Sequence, residues 1–470
     1  MNTILVVAAL VKIVAIVLFL ISFAAVMTWM ERRQSAMMQD RYGPNRADVN
    51  VFGHKFTLAG LLHVMADGLK FITKEDFVPP KADKLLHALA PMIAFFPPLV
   101  VLAVVPFADT LCLESLRTVT IENKMAVSHW HVFSTWIDAS NVAHHPFLGR
   151  DGLCAAANVN AIPPIQMQIV DVNVGLLYIF AMGGLGVVGA AIAGFASDNK
   201  FSLMGAIRAA SQLVSYEVCM GLALIGCIMT YGTLRIDEMT HWQGEHVWGI
   251  FVQPFAFILF LVAATAETKR APFDLPEGES EIVAGYFLEY SGMKFGMFYF
   301  AEFIEVITSS AIIVAVFLGG YNLPFLHRDG ITVQLGSDVL YHQVLPHVVV
   351  VALQVLTFFS KVAIFCWLHI FIRWALPRFR YDQLMKLGWR MLLPAALVNI
   401  FVTGVVLLGV DRSSQTFRDA LQVVGDVTNV AVAVALVGMF VWFVIHFFSR
   451  ADRNPQARVI PEGHTRAPAT

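Results

Sequence analysis

The sequence predicts an all-α integral membrane protein, a bundle of about nine transmembrane helices with one interfacial amphipathic helix. Three observations carry this. Of 470 residues 57% are hydrophobic and only 14% charged, with a mean hydropathy of +0.68, more apolar surface than one water-soluble core can hide. Apolar runs long enough to cross about 30 Å of hydrocarbon recur along the chain. The basic residues crowd into alternate loops, as they do on the cytoplasmic side of membrane proteins. A net charge of -2 supplies no dominant basic face, which excludes general nucleic-acid binding.

The expected spans lie near 3–30, 87–107, 172–195, 211–231, 248–266, 296–319, 346–371, 391–410 and 430–448. The first is read as a retained span, because it lacks a basic leader and a small-residue cleavage site and outruns a signal peptide's apolar core. With the amino terminus outside, 23 Lys and Arg fall in 31–84, 196–210, 267–295, 372–390 and the tail after 449, and seven in the opposite loops. Lys12 and Lys361 complete the 32, inside spans. The 31–84 side is therefore expected in the cytoplasm, with the tail beside it. An even number of spans would put Arg450, Arg453, Arg458 and Arg466 outside. The domain reading is a membrane domain over 1–410 with 109–171 an inserted outer loop, an extra helical element over 411–448, and a disordered tail over 449–470.

The loop after the first span opens on ERRQSAMMQDRYGPNR, with Gly43-Pro44 as a breaker. It then turns helical: Leu58, Leu61, Leu62, Met65, Leu69 and Ile72 share a face, while His63, Asp67, Lys70 and Lys74 occupy others. Such a helix is too polar to span and lies in the interface. It packs beneath a soluble partner or forms the lip of a portal for a lipid-soluble substrate.

The loop ETKRAPFDLPEGESEIVAGYFLEYSGMKF carries Glu267, Asp274, Glu277, Glu279, Glu281 and Glu289, and Pro272 and Pro276 stiffen it. Charge counting alone reads it as a solvated acidic loop. If it is folded and partly buried, mutual repulsion makes some of its carboxylates hold protons near neutral pH. Within the spans stand Glu217, Glu302, Glu305 and Lys361, each costing about 2.5–3.5 kcal/mol to insert charged at a helix centre, so each is expected to face a protein or water-filled interior. Glu302 and Glu305 share a helical face, at a spacing that suits proton sharing or, less informatively, a pair near the membrane surface. Glu217 and Lys361 read as members of a polar axis.

Five cysteines occur, with no C-x-x-C pair and no haem signature, so an electron-carrying metal cofactor must sit in a partner. Cys112 and Cys154 lie outside the spans, where a disulfide and two free thiols are both open readings. His129, His131, His144 and His145 of the same loop read as surface histidines rather than a metal site.

At these loops the sequence resembles a known family, the H-type membrane subunit of proton-translocating NADH:quinone oxidoreductase (respiratory complex I), the bacterial counterpart of mitochondrial NADH dehydrogenase subunit one. The matching stretches are ERRQSAMMQDRYGPNR, GLKFITKEDFVPPKADKLLHALAPMIAF, DVNVGLLYIF onward to QLVSYEV, AETKRAPFDLPEGESEIVAGYFLEYSGMKFGMFYFAEF and RWALPRFRYDQLMKLGWRMLLPAAL, covering most of 30–107 and 171–395. The resemblance implies an eight-span bundle where the membrane arm meets the peripheral arm. It implies a quinone chamber bordered by Glu31, Arg41, Asp67, Lys70 and Asp274. A proton path would run through Glu277, Glu279, Glu281 and Glu289 of the acidic loop, then Glu217 and Glu302, with Lys361 added from the reading of the spans. Quinone is the implied substrate, no cofactor is held covalently, and iron–sulfur clusters and FMN are implied in partner subunits. Partners would be the other complex I membrane subunits, the quinone-site and iron–sulfur peripheral subunits, and membrane lipid. The long 109–171 loop, the ninth span and Glu305 depart from the family pattern. Two alternatives stay open: the anchor subunit of an energy-converting hydrogenase, and a stand-alone secondary transporter, against which the missing internal repeat argues.

Overall fold

In a computed structural model the chain is described over residues 3–44, 47, 49–51, 54–56, 60–111, 117–122, 125–130, 165–278, 283–327, 330–335, 338–413, 417, 420–421, 423–436 and 438. Seven helices among these residues are long and apolar enough to cross a membrane, so the all-α membrane class stands.

The chain begins with α1 (Thr3–Met38), a helix too long to end at the membrane surface, which carries Glu31 and Arg32 beyond its apolar stretch. A small hairpin of β1 (Val49–Val51) and β2 (His54–Phe56) leads to α2 (Leu62–Thr73), the expected amphipathic helix. Leu61, Met65, Leu69 and Ile72 remain exposed along one stripe, which fits a helix lying in the bilayer interface better than one packed within the bundle. Asp83 caps α3 (Lys84–Val101), its carboxylate accepting from the amides of Leu85 and Leu86. Three prolines interrupt α3, and α4 (Gly175–Ala196) packs so closely on it that a Cβ at Gly189 would lie 2.7 Å from the Ala94 amide nitrogen. Asn199 caps α5 (Lys200–Tyr231), and Gly232, at φ +70°, ends it.

The expected fifth span does not form as one helix. After α6 (Ile236–Glu245), a single turn, α7 (Gly249–Val252), breaks at Gln253, and α8 (Pro254–Glu267) follows with only 14 residues. Pro254 has no amide to continue the turn before it and is suited to start a helix. The Gln253 side chain, buried at the break, donates to the Thr230 and Thr403 hydroxyls.

At the centre stands α9 (Gly292–Phe317), 89% buried over its most apolar stretch. A helix apolar on every side has no solvent-facing stripe and must be surrounded by others. Around it run α1, α3, α8 and α10 (His347–Ala375), while the last continuous span, in which α11 (Tyr381–Lys386) passes through a π-helical turn at 387–392 into α12 (Leu393–Asp411), packs on α5 and α8. A further helix, α13 (Val423–Leu436), covers the start of the expected ninth span; apart from residue 438, the rest of that span and the tail lie outside the described residues.

The face opposite 31–84 contains strands that the apolar-run reading leaves out. The long loop carries a β3 (Arg117–Glu122) and β4 (Met125–Trp130) hairpin, and a three-stranded sheet of β5 (Leu326–His327), β6 (Gly330–Leu335) and β7 (Asp338–Val344) joins α9 to α10. The two ends of the long loop are fastened together. Leu111 and Ile165 exchange both backbone hydrogen bonds, at 2.8 and 3.0 Å, and the Phe107 amide donates to the Met167 carbonyl at 3.1 Å. Lys12 Nζ reaches across from α1 to the carbonyls of Gln166 and Gln168 at 2.9 and 2.7 Å. Because this stem is held without the loop tip, replacing 112–164 by a short Gly-Ser turn should leave the melting temperature within a few degrees of the parent. Failure of the purified shortened chain to assemble would show that the loop itself holds the bundle. Cys112 and Cys154, with His131, His144, His145, Glu279 and Glu281, lie outside the described residues.

Candidate functional site

The described part of the acidic loop is not solvated. Between α8 and α9 it folds down against the bundle, and Phe273, Asp274 and Leu275 are buried. Gln212 of α5 donates to the carbonyls of Ala266 and Phe273 at 2.7 and 2.9 Å, pinning the descending chain. Gly285, at φ +68°, lies so close to α5 that a Cβ on Gly205 would be 2.6 Å from its Cα, and a Cβ on Gly285 itself would meet the Pro276 carbonyl. The loop thereby carries Lys269 and Arg270 to a level about ten residues, roughly 15 Å, into α9. There they meet two of its carboxylates.

Arg270 is the hub. Its Nη1 donates to Glu31 Oε2 at 3.2 Å, and its Nη2 lies 3.3 Å from Glu302 Oε2, an ion pair whose angle falls short of a hydrogen bond. The guanidinium sits over the Phe303 ring at 4.1 Å and the Tyr299 ring at 5.4 Å. Arg373 of α10 also pairs with Glu31, so that carboxylate stands between two guanidiniums. Lys269 pairs with Glu305 at 3.3 Å. Burial disfavours the Lys269 charge, but Glu305 and Glu302 outweigh it and its pKa is raised. Arg270 likewise loses solvation and gains more from Glu31 and Glu302, so it stays charged. Glu302 is only 3% exposed, and Glu302 and Glu305 are held by different cations delivered by the loop.

Toward the 31–84 face the acids continue. Glu277 lies within electrostatic reach of Glu302 and of Asp274, which pairs with Arg378 at 2.6 Å. Desolvation, reinforced by Glu302, raises the Glu277 pKa well above the ordinary carboxylate value; desolvation raises Asp274 too, against the pull of Arg378. The folded chain thus binds the Glu277 proton more tightly than the unfolded chain. Stability must fall as pH rises from the ordinary value near 4.5 through the raised one. Glu277→Gln, which mimics the protonated acid, should melt at or above the parent's temperature at neutral pH and lose that advantage in acid. A lower melting temperature at neutral pH would contradict it.

Toward the membrane centre, Glu267, Lys269, Glu302 and Glu305 line a cavity of about 70 Å³ with Gly183, Tyr286 and apolar residues of α3, α4 and α5, room for a few water molecules. Gly183 and Gly184 lie against these acids: a Cβ there would be in ordinary contact, 3.5 Å from Glu267 Oε1 and 3.6 Å from Glu217 Oε1. Glu217 is thus brought to the same polar interior as Glu267.

On the other side of Arg270, Glu31 lines a larger cavity of about 730 Å³ with Arg32, Ser35, Arg41, Tyr42, Gly43, Pro44, His63 and Trp374. Arg41 is positioned by Gln39 Oε1 at 2.6 Å and Ser35 Oγ at 3.3 Å. A neighbouring space of about 190 Å³ between α1, α2 and α9 is lined by Arg32, Asp67, Lys70, Phe71, Phe295, Tyr299 and Phe300. Asp67 pairs with Arg32, and with Lys70 at 3.6 Å.

Two expected members stand apart. Glu289 accepts from Asn199 Nδ2 at 2.6 Å and tethers the loop to the start of α5 rather than joining the acid cluster. Lys361 is bonded to carbonyls beyond the far end of α9 and is not brought to the cluster. Sequence reasoning also misses the cations. It assigns no site role to Lys269, Arg270, Arg373 or Arg378. A signal for the first two is present: a basic pair directly after a span and before two prolines, in a loop whose acids need counterions once buried.

The sequence pattern of the family described as NADH dehydrogenase matches residues 11–149 and 152–404. The chain is 40% identical over 398 residues to an H-type subunit of NADH-quinone oxidoreductase from Cytophaga hutchinsonii, covering 84% of this chain and 96% of that one. It is 41% identical over 398 residues to the H-type subunit of NADH-quinone oxidoreductase from Flavobacterium psychrophilum, covering 85% and 96%. It is 37% identical over 398 residues to the corresponding protein of Thermomicrobium roseum, covering 83% and 93%.

Proposed function

The chain belongs to the NADH dehydrogenase family, as a membrane subunit of the NADH-quinone oxidoreductase type, and we propose that it walls the quinone chamber and forms the first stretch of the proton path. One observation carries this reading: a single guanidinium, Arg270, bridges an acid of the 730 Å³ cavity, Glu31, to an acid of the intramembrane cavity, Glu302.

The cavity at Glu31 and Arg41, with the space flanked by Asp67 and Lys70, opens beneath the interfacial helix α2, where a lipid-soluble quinone would leave the bilayer. Asp274, paired with Arg378, lines neither space, and it is assigned to the chamber's border only through the family resemblance. Electrons come from an iron–sulfur cluster in a peripheral partner, and FMN belongs to a partner as well. Reduction of quinone to quinol draws protons and shifts charge beside Glu31. In a site screened by few solvent dipoles, that shift is felt at Arg270, whose guanidinium is paired with Glu31 and Glu302 at once. Movement of Arg270 toward Glu31 leaves Glu302 less compensated, and a carboxylate so exposed to its neighbours takes up a proton. Glu277, Glu279 and Glu281 supply protons from the loop side, and Glu267, Glu305 and Glu217 pass them toward the neighbouring membrane subunits. The 31–84 face is cytoplasmic in this reading, and the membrane is the bacterial inner membrane.

The test uses the intact assembly in proteoliposomes, with NADH, a short-chain quinone and a trapped pH indicator. Glu217→Gln and Glu302→Gln should assemble, with proton translocation per NADH reduced well below that of the parent. Full stoichiometry in both would end the relay reading for those positions, and hydrogen evolution without quinone reduction would move the chain to the hydrogenase branch.

A further inference from the structure

Lys361, set aside by the acid cluster, has an environment of its own. At the end of α9, Gly319 and Gly320 take φ of +69° and +53°, reversing the chain so that the carbonyls of Leu318, Gly320 and Asn322 converge on one point. Lys361 Nζ stands at that point, donating to them at 2.7, 3.0 and 2.7 Å. The Trp248 ring closes the fourth side, its centroid 4.3 Å from the ammonium. Among the described residues no carboxylate pairs with Lys361, so its charge is balanced by carbonyl dipoles and a π face alone.

The surrounding backbone is rigid. Gln243 Oε1 accepts from the amides of Gly249 and Gly319, both at 2.9 Å, and its Nε2 donates to the Ala315 carbonyl at 2.9 Å. A Cβ on Gly319 would lie 2.8 Å from Trp248 Nε1, so the turn is fitted to that ring. The carbonyls at a helix end are left without amide partners and carry the negative end of the helix dipole. Convergent carbonyls that replace a hydration shell are also how proteins hold alkali cations.

We propose that these three carbonyls and the Trp248 face form a monovalent-cation site that the chain fills from within, Lys361 standing where a free ammonium or potassium ion would bind. The bound charge clamps the end of α9, the helix that carries Glu302 and Glu305, to α10, which carries Arg373 12 residues further on, about 18 Å along the helix. Lys361 is a fixed positioning residue and takes no part in moving protons.

Lys361→Met, in the intact purified assembly, tests this by thermal melting at constant ionic strength in choline, potassium or ammonium chloride. The variant should melt several degrees below the parent in choline and recover at least half of the loss in ammonium or potassium, to which the parent is indifferent. Melting like the parent, or low melting with no recovery in either ion, overturns the proposal. Lys361→Arg keeps a charge that cannot be given up at any working pH. It should assemble and translocate protons at the parent's stoichiometry; an assembled Arg variant that has lost translocation would make Lys361 a proton carrier and overturn the proposal.

Discussion

Arg270→Met should destabilise the protein by about 3–5 kcal/mol and abolish quinone-coupled proton translocation, the largest single-residue effect expected in this chain. The magnitude is that of removing one partner from a buried ion pair, since the charges left behind have lost both solvent and counterion. Here two are left. Arg270 is the ion-pair partner found for Glu302 among the described residues, whereas Glu31 keeps Arg373. The loss therefore falls mainly on Glu302, which must then take up a proton or remain charged in a nearly dry site. Arg270→Lys should recover part of the stability and little of the coupling. An ammonium is one compact charge and cannot fork between Glu31 and Glu302 as a guanidinium does, nor lie flat over Phe303. Thermal melting of the purified assembly, with quinone-dependent NADH oxidation measured beside proton uptake, checks both variants. A methionine variant that melts with the parent would mean that the loop does not bury this charge in the assembled complex.

The parts of this site legible in the sequence are those that solvent chemistry enforces. Apolar runs must cross a bilayer, so α1, α3, α4, α5, α9, α10 and the last span can be placed to within a turn or three. The fifth span cannot, because a run of apolar residues does not reveal that Gln253 finds hydroxyl partners in Thr230 and Thr403 and so makes a break at Pro254 cheap. Glu302 and Glu217 are legible because an acid in an apolar run is costly and must be answered. What answers it is not: the ion pair of Arg270 with Glu31 spans 239 positions, and the loop is held at that depth by the Gln212 bonds to Ala266 and Phe273 and by the close approach of Gly205 to Gly285. Lys361 misleads for the same reason. Its three carbonyl partners are backbone groups of a glycine turn, invisible to any count of charged side chains.

The cluster also permits an experiment that separates holding the fold together from moving protons. A chain carrying Glu31→Gln, Arg270→Met and Glu302→Gln together should regain most of the stability that Arg270→Met alone loses, yet remain uncoupled. The reasoning is that a buried ion pair gains from mutual attraction about what it forfeits in lost solvation, so replacing all its members by neutral groups of similar size is close to neutral. Glutamine can still accept the Tyr286 hydroxyl that now reaches Glu302 at 3.4 Å, and methionine can still lie against Phe303 and Tyr299. Arg373 loses Glu31, but its side chain is 23% exposed and can turn to solvent. If the triad's purpose were structural, a stable triple variant would also be an active one. If charge within the triad answers quinone chemistry, stability should return and translocation should not, and the difference between those two recoveries measures how much of the cluster is there to respond to charge. A triple variant as unstable as Arg270→Met would place the loss in packing around Arg270 and remove the electrostatic account of its cost.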